Sequence, residues 1–209
     1  AKDFYLKEIK EIIAKSTFTY VRQKQMLGLG HAILTSEPLI GEEPFAVVLA
    51  DDLCDCDENG VISQLIEIYN RYKCSIVAIE EVPMSQINKY GIIEGDLVDS
   101  SKNTYLVTDM VEKPEAKFAP SNLAIIGRYI LTPDIFEIIK NTKPDKSGEI
   151  QITDALKIQA KLGKVIAYKF RGKRFDCGSI KGFLKATNHF ANKYSINSYQ
   201  LPKNTRRAL

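Results

Sequence analysis

Acidic residues follow an apolar run directly at residues 46–60, AVVLADDLCDCDENG. The run predicts a strand at 45–51, and Asp51 and Asp52 stand at its carboxyl end. In open α/β sheets, ligands bind beyond the carboxyl ends of the strands. Mg²⁺ commonly takes one or two protein carboxylates together with water and phosphate oxygens. Asp51 is therefore a candidate metal ligand, although the two aspartates could equally cap the turn or helix that follows.

A further aspartate has a similar setting in FDCGS, residues 175–179, between a strand-like segment and a predicted helix. Asp176 is either a second metal ligand or the N-cap of that helix. Its local sequence alone favours the cap.

Two opposite charges end another predicted strand in VEKP, residues 111–114. Adjacent strand residues point to opposite sides, so we expect Glu112 and Lys113 not to neutralise one another. Glu112 is an acceptor suited to sugar hydroxyls, and Lys113 is a point charge suited to phosphate. The alternative is that both are ordinary surface charges.

Glycines mark two places where the backbone could approach a ligand closely. RQKQMLGLGHA, residues 22–32, is neither a Walker loop nor a G-x-G-x-x-G motif. Tyr90 and Gly91 precede a predicted strand. The alternative interpretation of each segment is a tight turn without a ligand. His31 is more typical of a structural histidine than of a catalytic one, and no Ser/His/Asp or Cys/His triad is evident.

The composition is that of a globular protein with a sizeable core. The 209 residues are 44% hydrophobic, and the net charge of +3 is too small to indicate nucleic-acid binding. No apolar run reaches the roughly 20 residues of a membrane span, so we expect a cytoplasmic protein with no membrane partner. The four cysteines form no C-x-x-C pair, which predicts reduced thiols without a metal. The basic C-terminal PKNTRRAL is typical of a solvated tail.

Hydrophobic periodicity indicates the elements that position these residues. It predicts helices at 4–16, 28–40, 61–73, 133–142, 149–163 and 180–195, and strands at 17–23, 45–51, 75–82, 90–98, 104–114, 122–132 and 164–172. The apolar run at 45–51 is typical of a central strand buried on both faces. Thr132 is the expected N-cap of the helix at 133–142. We expect one α/β domain over residues 1–209, with a mixed, mostly parallel sheet flanked by helices.

Six segments, taken in order, resemble one family. They are VRQKQMLGLGHAIL, FAVVLADD, KYGIIE, MVEKPEAKFAPSNLAIIGRYIL, GEIQITDAL and FDCG. Together they resemble the bacterial UTP–glucose-1-phosphate uridylyltransferases, or UDP-glucose pyrophosphorylases, from about Tyr20 to about Ala191. The resemblance implies a Rossmann-like nucleotide-diphospho-sugar transferase fold. It also implies a homodimer or homotetramer, with the C-terminal helix and tail at 180–209 as a candidate contact.

The resemblance further implies the reaction of UTP with α-D-glucose 1-phosphate to give UDP-glucose and pyrophosphate, with Mg²⁺ as cofactor. Carried over by position, it places Mg²⁺ on Asp51 and Asp176, and it leaves Asp52 as a supporting or capping group. The other implied contacts are Glu112 with the glucose hydroxyls, Lys113 with the sugar phosphate, the backbone of Gly91 with the glucose ring, and Gln23 and Gly28 with the uracil edge. In-line attack on the α-phosphorus of UTP needs cations and positioning more than an acid or base.

The sequence departs from the family at its start. The family opens with a strand and a Gly-rich GxGTR-type loop, followed by a lysine segment, which cradle the triphosphate. This sequence begins at Ala1 with a predicted helix and carries neither element. Either the missing portion lies upstream of Ala1 in a longer protein, or the protein is a shortened member of the family. We favour the first interpretation and hence the function of the family, and we expect little or no catalysis from a protein that truly lacks these elements. Two alternatives stay open: a related nucleotidyltransferase for another base or sugar, and a non-catalytic sugar-nucleotide-binding module.

Overall fold

The computed structural model describes residues 2–98 and 103–194 of the chain, which contain both α-helices and β-strands. The helices are α1 (Lys2–Ala14), α2 (Gly28–Leu34), α3 (Glu37–Ile40), α4 (Val61–Tyr72), α5 (Ile135–Asn141), α6 (Ile152–Lys161) and α7 (Ile180–Lys193). The strands are β1 (Phe45–Val48), β2 (Asp52–Asp55), β3 (Ser75–Glu81), β4 (Gly91–Leu97), β5 (Thr104–Glu112), β6 (Leu123–Leu131), β7 (Val165–Lys169) and β8 (Lys173–Asp176). None of these helices has the length and apolar character to cross a membrane. The predicted basic tail lies outside the described residues.

Six strands form the central sheet, in the order β1-β6-β3-β7-β5-β4. The expected mixed sheet flanked by helices is confirmed, but its pairing is mainly antiparallel rather than mostly parallel. Among the described strands, β3 and β7 form the only parallel pair. One reason is that only six residues separate Leu97 at the end of β4 from Thr104 at the start of β5, and parallel neighbours need a long crossover connection.

Helices cover both faces of this sheet. On one face α2, α5 and α6 enclose an aliphatic core that includes Ile79, Ile135 and Leu156. On the other face α4 buries Val61 and Leu65 against the strands. Each fully buried aliphatic side chain contributes about 1.5–3 kcal/mol to stability, so the two cores hold the sheet as a rigid base for the loops at its edge.

The strand predicted at 45–51 is shorter and lies at an edge. β1 pairs antiparallel with β6, and no other described strand borders it. Its side chains alternate between half-buried and exposed, and Val48 is 56% exposed. Among the described residues, β1 has a neighbouring strand on one side alone. The expectation of a central strand buried on both faces is therefore wrong for this part of the chain.

Two predictions near the N-terminus are also wrong. Residues 17–23 form no strand, because β-branched and aromatic residues favour strands through neighbours that pack on them, and Tyr20 is 90% exposed. The helix predicted at 28–40 is divided between α2 and α3. Thr35 and Ser36 separate them, and each turns its hydroxyl back to a carbonyl of the preceding turn.

Two further helices begin later than predicted. α5 starts at Ile135 with Asp134 in the N-cap position, while Thr132, the expected cap, shares a hydrogen bond with Ser75 at 3.1 Å. α6 starts at Ile152 rather than at 149. The residues before it are held in an extended form because the backbone of Ile150 bonds to the segment that opens α2.

A second, two-stranded sheet was not predicted. In it β2 pairs antiparallel with β8, and Asp52 stands opposite Asp176. The strand predicted at 164–172 covers β7, whereas β8 follows it after a turn. Both strands of this small sheet are four residues long, which is too short for a clear alternation of apolar and polar residues.

A buried ion pair within the small sheet contacts two strands of the large one and so holds the sheets together. Arg174 of β8 donates from Nε to Asp52 Oδ1 at 2.6 Å. Asp52 Oδ2 accepts from the backbone N–H of Gly127 in β6 at 2.6 Å, and Nη1 of Arg174 lies 2.7 Å from Glu80 Oε1 in β3. The side chains of Asp52 and Arg174 are only 5% and 7% exposed. Asp52 is therefore a supporting group, as expected, and it caps no helix.

Replacing Asp52 by asparagine should lower the free energy of unfolding by about 3–5 kcal/mol, because it leaves a buried guanidinium with incomplete charge compensation. Urea denaturation followed by circular dichroism measures the change. Asp57→Asn is the matched control, because the Asp57 side chain is 99% exposed. Its effect should stay below about 1 kcal/mol. Equal stability of the two variants would contradict the anchoring role of Asp52.

Candidate functional site

The small sheet brings two of the predicted site aspartates together. The backbone N–H of Cys177, directly after β8, donates to the carbonyl of Asp51 at 2.7 Å. A Cβ atom placed on Gly178 would lie 3.2 Å from Asp51 Oδ2 and 3.2 Å from Asp176 Oδ1. The two carboxylates therefore flank one small space, which Gly178 leaves open because it has no side chain.

The donor atoms around this space fit Mg²⁺. Mg²⁺ binds hard oxygen ligands and usually completes its shell with water and substrate phosphates. Asp51 is exposed and Asp176 is partly exposed, so both carboxylates are accessible to such ligands. Within residues 2–98 and 103–194, no cluster of three or more His, Cys, Asp or Glu side chains could hold a metal ion. These residues therefore offer two carboxylates to a metal ion, and phosphate oxygens of a ligand would complete its coordination.

Asp176 is not the N-cap of α7. That position belongs to Ser179, whose Oγ accepts from the backbone N–H of Gly182 at 3.1 Å. Asp176 Oδ1 instead accepts from the backbone N–H of Gly178 at 3.1 Å, and Oδ2 accepts from the Tyr90 hydroxyl at 3.2 Å. The carboxylate is thus held at the small space beside Asp51 and not at the helix.

Glu112 and Lys113 contact one another, so the prediction that their charges stay apart is wrong. Lys113 Nζ lies 3.1 Å from Glu112 Oε1. The two side chains do not point to opposite sides, because β5 ends at Glu112 and Lys113 has a left-handed backbone with φ of 44°. The Lys113 N–H donates to the Tyr90 carbonyl at 3.0 Å, which holds a conformation that costs a non-glycine residue on the order of 1–3 kcal/mol. Such strain is common where side chains are aimed at ligands.

Thr153 orients Glu112 from a second side. Its Oγ1 donates to Glu112 Oε2 at 2.6 Å. A Cβ atom on Gly91 would lie 2.9 Å from Thr153 Oγ1 and 3.1 Å from Glu112 Oε2. Any larger residue at position 91 would therefore press on this hydrogen bond, which gives a physical reason for glycine at the start of β4.

Five of the seven predicted site residues line one cleft of about 350 Å³. They are Asp51, Gly91, Glu112, Lys113 and Asp176. The volume lies within the ~300–1,000 Å³ of small-molecule sites. Carboxylates that accept hydrogen bonds and a lysine cation suit a ligand that carries both hydroxyls and phosphate.

The other two predicted residues, Gln23 and Gly28, lie near this cleft but do not line it. Gln23 Nε2 donates to the carbonyl of Gly28 at 3.2 Å and lies 2.9 Å from His31 Nδ1. A Cβ atom on Gly28 would stand 2.9 Å from the Cβ of Glu149, a residue of the cleft wall. Base recognition by Gln23 and Gly28 stays a prediction, and His31 has the structural contact expected of it.

Sequence reasoning missed several residues of the cleft wall. Tyr129, Thr153 and Arg174 line it, and Tyr90 was noted only as the neighbour of Gly91. None belongs to a short motif with a known mechanism. One signal was available for Arg174, because residues two apart on a strand share a face, and Arg174 stands two positions before Asp176.

Burial and charge set the protonation of these wall residues. Burial raises the pKa of the Tyr90 hydroxyl and that of Tyr129. Burial also raises the pKa of Glu80, more than the adjacent Arg174 lowers it. Burial lowers the pKa of Arg174, but the attraction and hydrogen bonds of Asp52, Tyr90 and Glu80 together raise it by more. At neutral pH, therefore, the Tyr90 hydroxyl remains a donor and Arg174 remains a cation.

The four cysteines form no disulfide with one another in the described residues. Cys54, Cys56, Cys74 and Cys177 are all free. Burial raises the pKa of Cys54 to about 11, and burial also raises the pKa of Cys56 and Cys74. These three residues are therefore protonated thiols at neutral pH.

Known proteins match nearly the whole described chain. The nucleotidyl transferase family matches residues 2–193. A UTP–glucose-1-phosphate uridylyltransferase of Pseudomonas aeruginosa is 59% identical over 188 residues, which are 90% of this chain and 67% of that protein. The chain thus spans about two thirds of the length of this curated relative.

Solved structures of similar proteins agree with this match. A crystal structure of a UDP-glucose pyrophosphorylase complexed with UDP-glucose superposes with a TM-score of 0.88 at 57% identity, covering 92% of this chain and 72% of that one. A UTP-bound UGPase from Acinetobacter baumannii superposes with a TM-score of 0.74 at 33% identity, covering 92% of this chain and 69% of that one.

Proposed function

Because the chain belongs to the UTP–glucose-1-phosphate uridylyltransferases of the nucleotidyl transferase family, we propose that it makes UDP-glucose and pyrophosphate from UTP and α-D-glucose 1-phosphate. One observation carries the proposal: five residues from four separate segments, each predicted from its own motif, line a single cleft. The comparisons favour neither a different base or sugar nor a non-catalytic binding module.

The sugar phosphate binds at the Glu112 end of the cleft in this proposal. Glu112 accepts hydrogen bonds from glucose hydroxyls while Thr153 fixes its second oxygen. Lys113 binds the phosphate, and its side chain is 53% exposed, so it can turn from Glu112 toward a ligand. The backbone of Gly91 lies against the ring because no side chain intervenes.

The nucleotide phosphates meet the sugar phosphate between Lys113 and the two aspartates. Asp51 and Asp176 would hold Mg²⁺, which when bound supplies positive charge that compensates the phosphates. An oxygen of the sugar phosphate forms a bond to the α-phosphorus, and the bond from the α-phosphorus to the pyrophosphate oxygen breaks. The attacking oxygen is already anionic and pyrophosphate leaves as an anion, so the residues position and neutralise rather than transfer a proton.

The complete protein should release pyrophosphate and form UDP-glucose when it is incubated with UTP, glucose 1-phosphate and MgCl₂. Chromatography of the nucleotide sugars measures the product. Parallel reactions with other nucleoside triphosphates, and with mannose and N-acetylglucosamine 1-phosphates, test the substrates. Equal turnover with all bases or sugars would contradict the proposed specificity, and a reaction without sugar phosphate controls for hydrolysis.

Asp176→Asn should reduce Mg²⁺-dependent turnover by at least about 100-fold, because metal ions supply several kcal/mol of charge stabilisation. The unfolding free energy should change by less than about 1 kcal/mol, since the Asp176 side chain is 36% exposed. Initial rates over a range of Mg²⁺ concentrations, with melting curves alongside, separate the two effects. Ordinary activity with ordinary metal dependence would remove Asp176 from the metal site.

Lys113→Ala should raise the KM for glucose 1-phosphate about 10- to 100-fold, the equivalent of about 1.5–3 kcal/mol for a hydrogen bond to a charged group. Steady-state kinetics with each substrate varied in turn measure the change. Lys117→Ala is the matched control, because that lysine is exposed and pairs with Glu115, and it should leave both KM values unchanged. A defect toward UTP alone would contradict the assignment of Lys113.

The predicted homodimer or homotetramer also remains part of the proposal, together with a cytoplasmic location. Support comes from α7, on which Ile180, Phe183 and Leu184 are 84%, 58% and 54% exposed. Exposed apolar side chains on one helix are typical of a protein contact.

A further inference from the structure

We propose that Tyr90 is a positioning residue that orients Asp176 for its metal and holds Lys113 at the sugar phosphate. The inference rests on the proposed function and deepens it. It assigns a role to a side chain that carries no charge and that no motif predicted. Three sets of contacts support it.

The first contact joins Tyr90 to the predicted metal carboxylate. The Tyr90 hydroxyl donates to Asp176 Oδ2 at 3.2 Å, and the backbone N–H of Gly178 donates to Oδ1 at 3.1 Å. Each carboxylate oxygen therefore has one fixed donor. Hydrogen bonds from such outer groups orient the ligands of a metal and raise its affinity.

The second contact fixes Tyr90 itself. The guanidinium carbon of Arg174 lies 4.9 Å from the centre of the Tyr90 ring, within the range of cation–π attraction. Asp52 and Glu80 hold that guanidinium at 2.6 and 2.7 Å. Arg174 approaches Asp176 only to 4.0 Å, so the Tyr90 hydroxyl is the closer link between the buried cation and the carboxylate.

The third contact lies on the backbone of the same residue. The Tyr90 carbonyl accepts from the N–H of Lys113 at 3.0 Å, and Lys113 is the residue with the left-handed φ of 44°. Tyr90 thus contacts the predicted metal carboxylate through its side chain and the predicted phosphate lysine through its main chain. It therefore sets the spacing between the two positive centres that must flank the reacting phosphates.

Tyr90→Phe tests the side-chain half of this role, because it removes the hydroxyl and keeps both the ring on Arg174 and the carbonyl on Lys113. Affinity for Mn²⁺, used as the probe and followed by the electron paramagnetic resonance of the free ion, should fall about 10-fold, the low end of the effect of removing such a partner. The titration is run with and without UDP-glucose. The Mg²⁺ concentration for half-maximal velocity should rise about as much, while the KM for glucose 1-phosphate stays unchanged.

Tyr72→Phe is the matched control, because it removes the same atom from α4, on the opposite face of the sheet from α5 and α6. It should leave Mn²⁺ affinity and kinetics as in the wild type. Melting curves of both variants should match the wild type, since each side chain is replaced by one of nearly equal volume.

Wild-type Mn²⁺ affinity in Tyr90→Phe would overturn the inference, and so would a wild-type protein that forms UDP-glucose but binds no Mn²⁺. Failure of the proposed function gives a different result, namely no UDP-glucose from the wild type with any sugar phosphate. Neither Mn²⁺ titration, with or without UDP-glucose, requires turnover, so together they decide the role of Tyr90 in either case.

Discussion

The buried pairing of Arg174 with Asp52 is the contact on which the geometry of the site depends. Burying two charges is costly unless every donor and acceptor is satisfied. Here the further partners of the two charges are Glu80 in β3, the Gly127 N–H in β6 and the ring of Tyr90. Because these partners belong to the large sheet and its edge, satisfying one ion pair also fixes where the small sheet lies. The positions of the Asp51 and Asp176 carboxylates therefore depend on this ion pair.

The functional groups of the cleft were more predictable than their mutual arrangement. Glu112 and Asp176 end β5 and β8, and Asp51 lies in the turn between β1 and β2. The sequence placed all three at strand ends, where α/β folds bind ligands, and the ordered motifs assigned them roles. The strand lengths and the left-handed turn at Lys113 leave no trace in the pattern of apolar residues. Contacts such as Thr153 with Glu112, 41 positions apart, follow from how helix α6 packs on the sheet, and a local pattern does not encode that.

The sheet pairing illustrates the same limit. The apolar run around Val48 predicted a buried central strand, yet burial depends on which strands flank it and not on the run alone. By contrast, α4 was predicted to within one residue, because its apolar face repeats at helical spacing over three turns. Strong periodicity over a long segment is a property of the sequence itself. Whether a strand lies at the edge or in the centre is a property of the assembled sheet.

The pairing of β2 with β8 has a consequence for the order in which the cleft is assembled. Asp52 and Arg174 are 122 positions apart, and Tyr90 and Asp176 are 86 apart, whereas Gly91 faces Glu112 within one antiparallel hairpin of β4 and β5. Closing a long loop costs more chain entropy than closing a short one, and domains emerge from the ribosome N-terminal part first. The half of the cleft around Gly91 and Glu112 can therefore form before β8 has been made. The half that holds Asp51 and Asp176 waits for β8, so the two carboxylates come together only after the chain has been made as far as that strand.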